Sequence, residues 1–135
     1  MQTTYSTSAS FSTAGVIWLK LAMIYLLVGI SIGIGMGVSG NFALQPVHAH
    51  INLLGWATMA LAGLIYCVFP KAGQNRLAKL HFWLNNIALP IMLGSLALLM
   101  LGHAEVVPVL GVAEIATALG IVAFAANIFL NLKRD

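Results

Sequence analysis

The stretch Pro46–Pro70, PVHAHINLLGWATMALAGLIYCVFP, decides the fold. It opens on two histidines, His48 and His50, and then stays apolar for the length that a bilayer-spanning helix needs, roughly 20 residues. Hydrocarbon offers an unpaired polar group no partner, so histidines at the mouth of such a helix need a chemical reason. Pro46 is placed to open the helix, and Pro70 to close it.

Outward from that stretch the chain keeps the same character. Of its 135 residues, 61% are hydrophobic and 7% charged, where a soluble domain carries about 25% charged residues. The few charges cluster between long apolar runs. This predicts a single all-α domain over residues 15–135, an integral membrane bundle of four transmembrane helices. Residues 1–14 are rich in Ser and Thr, carry no charge, and read as a flexible N-terminal tail. They lack the basic front of a secretory signal, so the segment reads as retained. The net charge of +3 comes from six basic residues against three acidic ones. Their placement outside the apolar runs belongs to membrane orientation and makes no basic stripe for nucleic acid. Cys67 is the sole cysteine, which excludes an intrachain disulfide and a thiolate cluster.

The first helix is expected over about Gly15–Val38, with Lys20 near its start and Trp18 and Tyr25 as interfacial anchors. Gly29, Gly33 and Gly37 fall four residues apart, so they share a face that another helix of the bundle, a partner subunit or a flat macrocycle can approach closely. The third helix is expected over about Leu80–Gly102, with His81 near its start and Asn85 and Asn86 able to bond between helices. Pro90 lies in its interior and should kink it. The short turn HAEVVP makes the fourth helix, about Val107–Leu132, its antiparallel neighbour. Lys71, Arg76, Lys79 and the terminal Lys133–Arg134 lie at one end of the bundle, and Lys20 joins them. The positive-inside rule then puts both termini in the cytoplasm of a cell whose inner membrane, that of a bacterium, holds the protein.

Depth sorts the polar residues. His48, His50 and His103 fall at the outer end, and Glu114 lies roughly 10–12 Å inside it at 1.5 Å per residue. His81 falls at the cytoplasmic end and reads as part of the basic interface. Neighbours two apart on a regular helix point about 200° from each other, so His48 and His50 do not both face one centre. An intramembrane carboxylate such as Glu114 is costly unless it is protonated, paired or bound to a metal.

The residues His50-Ile51-Asn52-Leu53-Leu54-Gly55-Trp56 and the closing Tyr66–Pro70 resemble the second helix of the haem-copper oxidase catalytic subunit, closest to its nitric oxide reductase branch. The whole chain looks like small four-helix proteins grouped with that superfamily, marked by HAHINLLGW and LHFWLNNIALP. The resemblance implies that His50 is an axial ligand of a b-type haem. It carries over one ligand position only, because the ligands of the oxidase's binuclear centre lie on later helices. A complete oxidase or nitric oxide reductase is therefore not expected. A second axial ligand, unless the iron has none, would come from His103, His48 or another subunit.

Three functions compete. The first is an inner-membrane haem b protein for electron transfer or for sensing a diatomic gas or redox state. His50 is its ligand, Gly33 and Gly37 give the porphyrin room, and a homo-oligomer through helix 1 encloses it. The second is a zinc or copper site of outer histidines, His50 and His103 or His48, with Glu114. The third is a non-catalytic structural or assembly subunit packed against respiratory-chain partners. No nucleophile–base pair or phosphate loop marks an enzyme.

Overall fold

The computed structural model describes residues 12–132 and is all-helical. Helix α1 is Thr13–Ser39, α2 is Gln45–Val68, α3 is Arg76–Met100 and α4 is Val107–Asn131. All four are long and apolar enough to cross a membrane. The expected tail lies outside the described residues except at its end, where Ser12 caps α1 by accepting from Gly15 N (3.4 Å). The helix therefore starts two residues before Gly15, at Thr13.

Local chemistry sets the other ends. Gly40 stops α1 in the left-handed region at φ 64°. Pro46 sits in the first turn of α2, where its missing N–H costs no bond. Asn75 opens α3 by accepting from Ala78 N at 2.9 Å, so the helix begins at Arg76, a turn before the expected Leu80. At its other end Gly102, at φ 99°, turns the chain as its N–H and that of His103 bond back to Leu99 and Leu98. Helix α3 continues through Pro90 to Met100.

Helix α1 lies chiefly along α2, and α3 along α4. At one end of the first pair the crossing is backbone on backbone. A Cβ on Gly15 would stand 2.7 Å from the Gly63 carbonyl oxygen, and one on Gly63 would stand 3.0 Å from that of Gly15. Trp18, Tyr66, Met59 and Leu89 fill the shared core. Large apolar side chains such as Leu27, Ile34, Val112 and Phe129 point outward, as a lipid-facing surface requires.

Candidate functional site

Helix α2 is not uniform. Its first six residues, Gln45–His50, are α-helical, and Ile51–Ala57 form a π-helical segment before α geometry resumes at Thr58. The Thr58 hydroxyl donates to the Leu53 carbonyl, five residues back, at 2.8 Å. Such wide turns gather at functional positions and shift the phase of everything on one side of them.

The two histidines, both in the α-helical turn before this segment, face different ways. His48 turns toward α1, where its Nδ1 donates to the Gly29 carbonyl at 2.9 Å. The Asn52 amide, which donates to the His48 carbonyl at 2.8 Å, also reaches the ring, 3.5 Å from Nε2. Gly29 and Gly33 make room for this latch: a Cβ on Gly29 would fall 2.7 Å from Asn52 Oδ1, and one on Gly33 would fall 2.8 Å from His48 Cε1. Of the three readings of the glycine face, packing within the bundle is the one that Gly29 and Gly33 show, since both are filled from within the chain. Gly37 alone of the three has open space beside it.

His50 points away from α1 and is exposed. Its Nδ1 donates to the Pro46 carbonyl at 2.8 Å. A carbonyl only accepts, so in the neutral ring the hydrogen is on Nδ1 and the lone pair on Nε2. A groove of about 490 Å³ opens beside it, lined by His50, Leu54, Met92, Glu114, Thr117 and Val122 among others. His50 and Glu114, expected to share the outer half, therefore share one groove. It is walled by α2, α3 and α4 and not by α1. Glu114 is exposed along it.

His103 lies apart, exposed in the α3–α4 turn, with Nδ1 3.0 Å from Glu105 Oε1. No group of three His, Cys, Asp or Glu side chains comes together among the described residues, so the expected set of His50, His103 and Glu114 is not assembled within the chain.

The largest departure is His81. Expected at a basic interface, it is fully buried. Its ring stacks between Trp18 (centroids 4.4 Å apart) and Phe124 (4.7 Å). Tyr66 Oη stands 3.3 Å from its Nδ1. Asn127 donates to the Tyr66 oxygen at 3.3 Å and to the Ala72 carbonyl at 2.8 Å, and its own oxygen accepts from Asn75 and Asn131. The interhelical bonds expected of Asn85 and Asn86 are thus made by Asn127 and Asn75. Asn86 bonds back to the Phe82 carbonyl at 2.8 Å, the reach natural to an amide one turn on. The signal for this cage was the co-location of Trp18, Tyr66, His81 and Asn127 at one end of four spans. Residue type alone does not reveal it.

Compared with models of known families, with curated proteins and with solved structures, the chain has no match.

Proposed function

We propose that this is a membrane haem b protein with His50 as an iron ligand, serving electron transfer or the binding of a diatomic gas. One observation carries the choice of His50: its Nδ1 is tied to the Pro46 carbonyl, which leaves the Nε2 lone pair directed outward. A backbone carbonyl on the far nitrogen is the usual partner of a metal-bound histidine, since it fixes the tautomer and the ring orientation. His48 has both ring nitrogens engaged by α1 and Asn52, and His103, whose Nδ1 is likewise held, lies in the α3–α4 turn and does not line the groove. The apolar wall of Leu54, Met92 and Val122 suits the body of a porphyrin, and the groove volume is in the range of ligand pockets, about 300–1,000 Å³. Bound there, haem would supply a one-electron couple or an open coordination position.

The groove is open to the side, so a second copy of the chain or a respiratory-chain subunit would complete the enclosure. With Gly29 and Gly33 already covered, the oligomer contact belongs at this groove more than at α1. The oxidised and reduced visible spectrum of the detergent-purified protein tests the proposal. A Soret band with reduced α and β bands is expected from wild type and is lost in His50→Ala. Protein that stays colourless after haem is supplied during expression would overturn it.

A second reading has its own support. His50 and Glu114 line the same groove and present nitrogen and oxygen donors that zinc or copper accepts. With two protein donors, such a site needs further ligands from outside the chain. Elemental analysis finding stoichiometric zinc or copper in colourless protein would favour it.

A further inference from the structure

Three buried side chains along the seam between α3 and α4 have polar atoms without a hydrogen-bond partner: His81 Nε2, both polar atoms of the Asn85 amide, and Thr117 Oγ1. They form a row. Asn85 follows His81 by one helical turn, so the two share a face of α3. On α4, Thr117 is one turn before Gly120, and Gly120 lies on that same face. Its Cβ position is 3.4 Å from Asn85 N and 3.8 Å from the His81 carbonyl oxygen. His81 and Asn85 are fully buried and Thr117 is 2% exposed, so bulk solvent does not satisfy them from outside. One end of the row meets the groove, since Thr117 is part of its wall. The other end is closed by the bonded set of Tyr66, Asn127 and Ala72.

The donors and acceptors specify what fits. Asn127 donates to the Tyr66 oxygen, so the Tyr66 hydroxyl is free to donate to His81 Nδ1, which leaves the ring's hydrogen on Nε2. The row then offers a donor at His81, a donor and an acceptor at Asn85, and a hydroxyl of either role at Thr117. A small neutral molecule that both donates and accepts matches this set. Buried polar groups in native proteins are paired with protein or with ordered water, and a site with several convergent polar groups holds such water. We propose that the α3–α4 seam is an internal hydration site, its water bound by His81 Nε2–H, the Asn85 amide and the Thr117 hydroxyl and entering from the groove beside Thr117. His81, though sealed between two aromatic rings, exchanges its Nε2 hydrogen with solvent from the groove side alone. The site does not depend on haem.

Water-edited solid-state NMR of the full-length, isotope-labelled protein in bilayers tests this, with the half-buried Asn75 amide as the hydrated reference. Magnetisation transfer from water to the Asn85 amide and to His81 Nε2–H is expected, and a thermal midpoint lowered by Asn85→Leu. Transfer to Asn75 but to neither buried side chain overturns the site. So does a midpoint raised by Asn85→Leu, which would mean that a dry amide had been removed. Thr117→Val is near-isosteric and keeps the test readable if Asn85→Leu does not fold. It is expected to cut transfer to Asn85 and His81 at least two-fold, and unchanged transfer overturns entry beside Thr117.

Discussion

His81 owes its place to what its ring touches, and substitutions divide its contributions. Removing the ring in His81→Ala leaves a void between Trp18 and Phe124, a change that costs about 3 kcal/mol for comparable buried rings. His81→Phe keeps both stacks and loses the Tyr66 bond together with the Nε2–H that faces the seam, so its cost stays at about 1–2 kcal/mol. Unfolding in mild detergent, followed by tryptophan fluorescence, checks both, and an equal loss in the two would contradict the role given to stacking. Asn127→Leu should lose about 2 kcal/mol, because hydrogen bonds between membrane helices are worth roughly 0.6–1.7 kcal/mol and this amide joins Tyr66, Ala72 and Asn75. The glycines of α1 give a sharper contrast. Gly33→Leu drives a side chain into His48 and should destabilise by about 1–3 kcal/mol, as overpacking does. Gly37→Leu enters open space and should be nearly neutral apart from a small gain in helix propensity. If both variants melt alike, the His48 latch is not what Gly33 serves.

Helix α2 carries its information in its phase. The π-helical segment Ile51–Ala57 holds more residues per turn than an α-helix, so the first turn is rotated relative to the core-facing Met59, Ala62 and Tyr66. Deleting the exposed Leu53 should remove the extra residue that the wide turn takes up, so that the segment closes into regular α-helix with His48 and His50 in nearly their present phase. His48 should then stay on Gly29, which a retained contact between its ring and the Gly29 carbonyl in NMR would report; a lost contact means that the wide turn does not take up an extra residue. Much of the element plan was legible in the sequence. Pro46 and Pro70 bracket α2, the turn HAEVVP separates α3 from α4, and the apolar runs between them have spanning length. Helix α3 was expected to begin four residues late, because Arg76 and Lys79 read as loop, whereas Asn75 supplies a cap and the first turn tolerates long basic side chains at an interface. Nothing in residue type marks the π segment, so sequence alone separated His48 from His50 but gave no side to either. His50 is a candidate ligand by motif likeness, whereas its bond to the Pro46 carbonyl is a property of the folded helix. The Tyr66–Asn127 pair joins residues 61 apart and belongs to packing that no local pattern encodes.

Across the whole molecule, four spans return the chain to the side on which it began, so both ends of the bundle share a face with the α2–α3 turn. That turn carries Lys71, and Arg76 and Lys79 follow in the first turn of α3, while the α1–α2 connection has no charged residue and the α3–α4 turn has only Glu105 as a fixed charge. Lys and Arg in short loops set orientation, so the turn at residues 69–75 should lie in the cytoplasm and the turn at residues 101–106 outside. Cys67 is half-buried against Gly15, and Cys67→Ala therefore gives a cysteine-free background without a large change of shape. In that background Gln74→Cys and Gly102→Cys place one thiol in each turn. Gly102 sits at φ 99°, where a side chain is strained, so Glu105→Cys is the better reporter of that end. An impermeant maleimide added to intact cells should label Glu105→Cys strongly and Gln74→Cys only after the membrane is opened. Replacing Lys71, Arg76 and Lys79 by Gln leaves Lys20, Lys133 and Arg134 at that end, and lysines introduced at Asn41, Ala43, Ala104 and Val106 outnumber them at the other, which reverses the charge asymmetry. The labelling pattern should then invert or become mixed, since spans this apolar insert in either sense and the loop charges decide between them. A pattern that stays fixed through that exchange would mean that orientation is imposed by something other than the basic turn, such as a partner subunit inserted first.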